Sequence, residues 1–139
     1  EINGFAVWLP FGFSGTKAIP FFKNGAMKLI FHSGPGIIGR LLSYDSYSMN
    51  LKKEITDNYD WYLFNLCVKK DAQKKGIASK LMRPMLDFCD GERMPAYLET
   101  NKAVNVGLYQ YFGFDLMKEE PIPKTSVMHY AMLKRPRKG

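Results

Sequence analysis

The most informative part of the sequence is the stretch LCVKKDAQKKGIAS, residues 66–79. Its first three residues end an apolar run that begins at Trp61, and such a run is typical of a strand buried on both faces. A polar, lysine-rich loop follows, and an amphipathic pattern from Gly76 to about Cys89 predicts a helix. A buried strand, a short loop and a helix in this order indicate an α/β protein.

The beginning of this helix has the chemistry of an anion-binding site. The N–H groups in the first turn of a helix have no intrahelical acceptor, and the helix dipole attracts negative charge to them. Gly76 lets a phosphate approach the backbone, Ala78 keeps the approach narrow, and Lys74 and Lys75 add positive charge. On spacing alone, residues 73–78 fit both a pyrophosphate cradle and an ordinary loop with solvated lysines.

Further elements are predicted upstream of this unit. Alternating apolar residues predict a strand at residues 4–9, and an apolar stripe predicts a helix from Ile37 to about Ile55. The latter falls in a helical insertion of about residues 20–56, which also contains a short predicted helix at 24–32. In the helix that begins at Gly76, the side chains expected to face the core are Ile77, Leu81, Met85 and Phe88.

Downstream, the chain continues as alternating strands and helices. The predicted elements are a strand at 96–100, a helix at 103–112 that stops at Gly113, strands at 114–118 and 126–133, and a mobile basic tail at 134–139. No internal repeat divides the sequence. Residues 1–139 are therefore predicted to form one α/β domain, with a mostly parallel middle and an antiparallel end.

Composition narrows the class of protein. The chain has 139 residues, 46% of them hydrophobic, which suits a single globular domain. Lysine and arginine number 20 against 13 acidic residues, and the resulting charge of +7 favours anionic partners such as phosphates, nucleic acid or acidic lipid. Cys67 and Cys89 make neither a disulfide framework nor a CxxC motif, so we expect a cytoplasmic setting and no metal. No apolar run is long enough to span a membrane.

The spacing of several residues resembles the sequence motif of a known protein family. The sequence has no Walker A loop, no Gly-x-Gly-x-x-Gly after a strand, no Gly-x-Ser-x-Gly elbow and no His-Glu-x-x-His helix. Instead, Gln73-x-x-Gly76-x-Ala78 resembles the Gln/Arg-x-x-Gly-x-Gly/Ala signature of the GNAT acetyltransferase superfamily. It lies between a strand and a helix, where that family has it between its fourth strand and the following helix.

A second set of residues downstream supports the same resemblance. Residues 97–101, then Asn105, Tyr109 and Gly113-Phe114, resemble the family's fifth strand, its next helix and its Asn-x-x-x-Tyr-x-x-x-Gly-Phe ending. The runs at 61–63, 83–84 and 95–100 resemble a bacterial subgroup of uncharacterised GNAT proteins. The resemblance covers residues 61–133, about half of the chain.

The resemblance implies a fold. It is a GNAT-like mixed, mostly antiparallel sheet with a central, splayed pair of parallel strands, flanked by helices. In the family the strand that ends at Val68 is bulged and separates from the strand at 96–100, so that the pantetheine arm of the cofactor pairs with the open strand edge. The family's first strand and first two helices would precede residue 4, and we therefore expect the N-terminal part of the fold to be missing.

The resemblance also implies acetyl transfer from acetyl-CoA to a primary amine by direct attack. Tyr109 matches the tyrosine that acts as general acid for the CoA thiolate, and a backbone N–H near Cys67 or Val68 would polarise the thioester carbonyl. Glu99, at the end of a strand, is a candidate general base. The implied cofactor contacts are Leu66, Cys67, Val68, Gln73, Lys74, Lys75, Gly76, Ile77, Ala78, Ser79, Asn101 and Asn105.

Each of these assignments has a structural alternative. Tyr109 also fits a core aromatic residue, Asn105 a polar residue of the helix face or a group that steers Tyr109, and Glu99 a surface or capping carboxylate. Candidate acceptor-binding residues, for which core packing is the default, are Trp8, Trp61 and Tyr97. His32 and His129 have no partner at a spacing that indicates chemistry, and His129 is predicted to be structural.

Three classes of function compete. The first is an N-acetyltransferase with a small-molecule or peptide amine as acceptor, and the second is a catalytically silent, CoA-binding GNAT-like regulatory module. The third, a nucleic-acid-binding domain, is suggested by the charge of +7, but the sequence lacks the interleaved basic and aromatic residues of such a surface. We therefore expect no specific nucleic acid as partner. The oligomeric state is left open, with a homodimer among the alternatives.

Overall fold

The computed structural model describes residues 1–12 and 36–137. The predicted helix at 24–32, His32 and residues 20–35 of the predicted insertion lie outside the described residues. The elements within them are β1 (Gly4–Leu9), α1 (Gly36–Thr56), β2 (Trp61–Val68), α2 (Ile77–Gly91), β3 (Ala96–Thr100), α3 (Ala103–Tyr111), β4 (Asp115–Pro121) and β5 (Met128–Lys134). One 3-10 turn, Lys70–Ala72, lies between β2 and α2.

The strands form one mixed sheet. Their order is β1-β2-β3-β5-β4, and every neighbouring pair is antiparallel except β2 and β3, which are parallel. The parallel pair lies at the centre of the sheet, and helices α2 and α3 connect β2 to β3 and β3 to β4. This confirms the predicted fold class, a mostly antiparallel sheet with a central parallel pair and flanking helices.

The parallel pair separates soon after it begins. Only three residue pairs join the two strands, and Leu63 opposite Leu98 is the last of them. The register between β1 and β2 shifts by one residue. Val7 lies opposite Asn65 but Trp8 lies opposite Leu63, so Phe64 is an extra, unpaired residue in β2. A bulge of this kind bends and twists its strand. The second half of β2 therefore leaves β3, as the predicted splay requires.

Hydrophobic side chains cover both faces of the sheet, because successive residues of a strand point to opposite sides. On the face of α2 and α3, the larger core includes Leu63, Met82, Leu86, Leu98 and Phe112. On the face of α1, a smaller core contains Leu51, Tyr97, Ala131 and Leu133. Burial of these apolar groups is the main favourable contribution to folding.

One sequence-based expectation about burial is wrong and a second holds in part. The strand β2 is not buried on both faces: Phe64 is 53% exposed, and Asn65 and Cys67 are exposed as well. Here β3 has already diverged, so its side chains no longer flank β2. In α2 the fully buried positions are Met82, Leu86 and Cys89, whereas the predicted Met85 is half-buried against the larger core. Phe88 is half-exposed and contacts the edge of the larger core, with its ring 5.9 Å from that of Trp61.

The predicted tail begins later than expected and is partly anchored. Lys134 is the last residue of β5, is buried, and forms an ion pair with Asp90 near the end of α2. The backbone N–H of Arg137 donates to Asp90 Oδ1 at 3.1 Å. Burial alone would raise the pKa of Asp90, but the hydrogen bonds from Lys134 and Arg137 lower it below its ordinary value.

We expect Asp90→Asn to destabilise the protein by about 2 kcal/mol at pH 7, because Lys134 then loses its buried counter-charge. A carboxylate with a lowered pKa in the folded state contributes stability that is present above its unfolded pKa of about 3.9. This contribution is lost as the pH falls through the lower, folded value. The difference between wild type and variant, measured by urea denaturation from pH 7 to pH 2.5, should therefore close below about pH 4.

Asp87→Asn is the matched control, since Asp87 is exposed on the same helix. Its effect should stay within about 0.5 kcal/mol across the pH range. Equal stabilities of the Asp90→Asn and Asp87→Asn variants at pH 7 would contradict the anchoring role of Asp90.

Candidate functional site

A cleft of about 590 Å³ opens beside the second half of β2, between the beginning of α2 and helix α3. The splay of β2 from β3 leaves this space unfilled by a neighbouring strand. The sequence-predicted residues that line it are Leu66, Val68, Gln73, Lys74, Gly76, Ile77, Ala78, Ser79, Asn105 and Tyr109. The structure thus brings together residues from β2, from the loop after it, and from two helices.

The beginning of α2 is open to an anion. Gly76 is the N-cap, with φ of +76°, and neither a capping side chain nor an acidic residue occupies the first turn. The residues of this turn, Ile77, Ala78 and Ser79, line the cleft, and their N–H groups have no intrahelical acceptor. A Cβ built on Gly76 would meet no atom within 4 Å. The space and the donors therefore fit a phosphate group.

The loop that leads into α2 is tied to the end of β2. The side-chain amide of Gln73 donates to the backbone oxygen of Val68 at 3.2 Å, and Ala72 is buried beneath the loop. Lys74 has φ of +61°, the left-handed region that a non-glycine residue adopts at a cost of about 1–2 kcal/mol. The turn is therefore held in a strained form beside the first turn of α2.

Helix α3 contributes Asn105 and Tyr109, one turn apart on the side that faces the cleft. The amide nitrogen of Asn105 donates to Thr100 Oγ1 at 3.2 Å, so this side chain is oriented by the end of β3. Tyr109 is only 8% exposed, and burial raises the pKa of its phenol above the ordinary value. Within the described part of the chain its hydroxyl has no hydrogen-bond partner. A neutral phenol with a free O–H is thus available at the cleft.

Glu99 lies on the opposite face of the sheet, one residue beyond the last pair that joins β2 to β3. Its carboxylate accepts hydrogen bonds from Ser48 Oγ at 2.5 Å and from the Tyr97 hydroxyl at 2.7 Å, and the side chain is only 4% exposed. Burial and the nearby Glu99 charge raise the pKa of Tyr97. These hydroxyls hold the carboxylate at the gap between the two strands.

Three predicted cofactor contacts do not line the cleft. Cys67 and Lys75 are exposed, and Cys67 alternates with Leu66 and Val68 along β2, so its side chain points to the other face. The amide of Asn101 donates to the backbone oxygen of Met128 at 3.0 Å, which ties it to the start of β5. A contact through the backbone of Cys67 is still compatible with this geometry.

The residues predicted to bind the acceptor are in the cores. Trp8 and Trp61 pack against the larger core, and each has a buried indole N–H without a hydrogen-bond partner. Tyr97 is fully buried in the smaller core. Alternation along β1, β2 and β3 turns these rings inward, so none of them forms a wall of the cleft.

Sequence reasoning missed part of the cleft wall on α3. Val104 and Leu108 line the cleft although both are exposed, and their spacing of four residues puts them on one helix face. In the sequence, an apolar pair four residues apart next to Asn105 could have indicated this part of the cleft wall. Tyr111, at the rim, accepts a hydrogen bond from Arg83 Nη2 at 3.3 Å, and the guanidinium lies 5.9 Å from its ring centroid.

Two further features are absent from residues 1–12 and 36–137. Three or more His, Cys, Asp or Glu side chains come together nowhere in these segments in a way that could hold a metal ion. Nor does any helix there have the length and apolar character needed to cross a membrane.

Comparison with known proteins identifies the class to which this fold and cleft belong. Residues 27–114, more than half of the chain, match the model of the GNAT acetyltransferase family. The chain therefore belongs to the GNAT acetyltransferase family.

Individual relatives match shorter segments. An uncharacterized N-acetyltransferase, C550.08, of the fission yeast Schizosaccharomyces pombe is 40% identical over 58 residues, which are 42% of this chain and 24% of that protein. The matched segment thus spans about a quarter of this curated relative. It comes from a yeast, whereas the sequence resemblance was to a bacterial subgroup.

Solved structures are similar to between a half and two thirds of this chain. The ribosomal-protein-S18-alanine N-acetyltransferase of Escherichia coli has a TM-score of 0.49 and 22% identity, over 58% of this chain and 57% of that one. A NatC complex bound to Gag peptide and CoA has a TM-score of 0.49 and 23% identity, over 56% of this chain and 52% of the matched one.

The left-handed cap of α2 can be tested by comparing two glycines. An added Cβ would meet no atom within 4 Å at either Gly76 or Gly107, but only Gly76 has a positive φ. We expect Gly76→Ala to destabilise the protein by about 1 kcal/mol, from backbone strain. Gly107→Ala, inside α3, should stabilise it by about 0.5–1 kcal/mol. Denaturant unfolding measures both, and a Gly76→Ala variant as stable as wild type would show that the cap is not left-handed.

Proposed function

We propose that this chain is an acetyl-CoA-dependent N-acetyltransferase that moves the acetyl group to a primary amine by direct attack. One observation carries the proposal: a single cleft is lined both by the first turn of α2, whose N–H groups have no intrahelical acceptor, and by Tyr109, whose hydroxyl has no hydrogen-bond partner among the described residues. The first can hold a diphosphate, and the second can supply a proton. Membership of an acetyltransferase family supports this chemistry.

Binding is proposed to use two kinds of backbone group. The N–H groups in the first turn of α2 bind the diphosphate, and Lys74 at the cleft wall adds positive charge. Beyond Leu63 the edge of β2 that faces β3 is unpaired, so the peptide groups of residues 66–68 can pair with the amides of the pantetheine arm as an added strand does. Acetyl-CoA supplies the activated acetyl group as a thioester.

Tyr109 is proposed as the general acid. Burial holds the pKa of its phenol above the ordinary value, so the hydroxyl keeps its proton at neutral pH. In the described part of the chain nothing else engages this O–H. It can therefore donate to the sulfur that leaves, while Asn105, fixed by Thr100, lines the same wall.

Glu99 is proposed as the general base, acting directly or through water. An amine is largely protonated at neutral pH and must lose a proton before it can attack. Glu99 stands at the gap between β2 and β3 on the face away from Tyr109, so acid and base approach the reacting centre from opposite sides. Peptide and small-molecule amines are both compatible with this arrangement.

One observation favours a second candidate, a CoA-binding module without catalysis. Both carboxylate oxygens of Glu99 already accept hydrogen bonds, and the side chain is 4% exposed. A carboxylate held in this way is less accessible to an amine than an exposed one. Such a module would bind acetyl-CoA in the cleft and turn over no amine.

A matched pair of tyrosines tests the proposal. We expect Tyr109→Phe to lower kcat on the order of 10²-fold and to leave the KM for acetyl-CoA within about twofold, because only the proton donor is lost. Tyr111→Phe is the control, since Tyr111 lines the same cleft but is exposed and already bonded to Arg83. Thiol release is measured with a panel of peptide and small-molecule amines, and binding by calorimetry.

The outcomes separate the two candidates. An unchanged kcat in Tyr109→Phe would remove Tyr109 from the acid role. Binding of acetyl-CoA by the wild type without turnover of any amine would favour the silent module, and no binding at all would contradict both candidates.

A further inference from the structure

His129, which the sequence analysis took as structural, occupies an unusual position. It lies in β5 and is fully buried on the side of α1, between the rings of Tyr44 and Tyr47, whose centroids are 5.9 and 5.3 Å away. Among the residues that the structure describes, neither nitrogen of its imidazole has a hydrogen-bond partner. Burial of an unpaired polar group is unfavourable, and an apolar side chain at the same position would avoid this cost.

The imidazole lies beside the proposed base. His129 Nε2 is 3.6 Å from Glu99 Oε1, slightly beyond hydrogen-bond distance. Within the described residues, the hydrogen-bond donors to this carboxylate are the hydroxyls of Ser48 and Tyr97. His129 adds a nitrogen base next to the same carboxylate.

Other titratable groups near His129 come from α1 and β4. On α1, burial and the Glu99 charge raise the pKa of Tyr44 to about 12, so that this phenol stays neutral. Burial and the hydrogen bond to Glu120 raise the pKa of Tyr47 as well. The charge of Asp45, also on α1, acts on Tyr44.

On β4, Glu120 lies opposite His129 in the strand ladder. Its carboxylate accepts the hydroxyl of Tyr47 at 2.7 Å and pairs with Lys118 at 3.7 Å, so it is already occupied. The surroundings of the imidazole thus contain acidic and phenolic groups, and among them Glu99 is the carboxylate closest to a free ring nitrogen.

We propose that His129 is a positioning residue for Glu99 and takes up the proton that Glu99 removes from the acceptor amine. This rests on the proposed function, in which Glu99 is the base. An N–H bond of the ammonium breaks and an O–H bond forms at Glu99 Oε1. That bond breaks in turn as the proton passes to Nε2 of neutral His129, which leaves a carboxylate beside an imidazolium.

The step balances, because the pair gains one proton and its charge changes from −1 to 0. In water an imidazole holds a proton about a hundredfold more tightly than a carboxyl group does, so the direction of transfer is reasonable. The carboxylate is restored as an acceptor, and the proton returns to solvent by the reverse path after the product leaves. His129 thereby keeps Glu99 charged.

The first test needs no acceptor and no activity. The sequence has two histidines, so the imidazole signals can be assigned in NMR titrations with His32→Gln. We expect Glu99→Gln to move the titration midpoint of His129 at least about one pH unit lower, a tenfold loss of proton affinity, because the neighbouring negative charge is gone. The His32 midpoint should not move. An unchanged His129 midpoint would overturn the proposal.

The second test uses the pH profile of acetyl transfer and remains available if Glu99→Gln does not fold. His129→Gln keeps a polar side chain of similar size, but this side chain cannot titrate. We expect its acidic limb in kcat/KM to move by at least about one pH unit and kcat to fall about tenfold at pH 7, with the KM for acetyl-CoA unchanged. His32→Gln should keep the wild-type profile.

A purely structural role would lower activity equally at every pH, and an unmoved acidic limb in His129→Gln would therefore overturn the proposal. Failure of the proposed function has a different signature. In that case no amine is acetylated by the wild type, while the NMR titration still reports whether His129 and Glu99 share a proton.

Discussion

The early separation of β2 from β3 is the constraint on which the rest of the structure depends. Parallel strands normally satisfy each other's peptide groups along their length. Here the pairing ends at Leu63 opposite Leu98, and the extra residue Phe64 turns β2 away. The separation leaves an open strand edge and a cleft in front of the beginning of α2. The first turn of α2 and Tyr109 line this cleft, and Glu99 lies one residue beyond the last pair that joins the two strands.

In the proposed reaction, two different environments act on one reacting centre. On the side of α3, Tyr109 is buried, neutral and free of hydrogen bonds within the described residues, which suits a proton donor. On the side of α1, Glu99 is held by Ser48 and Tyr97 next to an unpaired imidazole, which suits a proton acceptor. In many active sites, a proton donor and a proton acceptor lie close together and owe their different roles to different surroundings.

Local sequence patterns predicted the helices and strands well. Burial and long-range contacts were predicted less well, because they depend on tertiary structure. The bounds of β2 and β3 and the stop at Gly113, whose φ is +91°, follow from apolar runs and from glycine chemistry. The exposure of Phe64 depends on the path of β3. The burial of side chains along α2 depends on the strands that this helix packs against. Local sequence patterns contain neither kind of information. Ser48 and Glu99 are 51 residues apart, so spacing could not reveal their hydrogen bond.

In the proposed complex, backbone N–H groups in the first turn of α2 hold the diphosphate of CoA. Amide NMR on the ¹⁵N-labelled chain tests this most directly, by titration with CoA and with pyrophosphate alone. We predict that both ligands shift the amide signals of residues 77–79, and that only CoA also shifts those of residues 66–68. Shifts confined to other parts of the chain, with these signals unmoved, would contradict it.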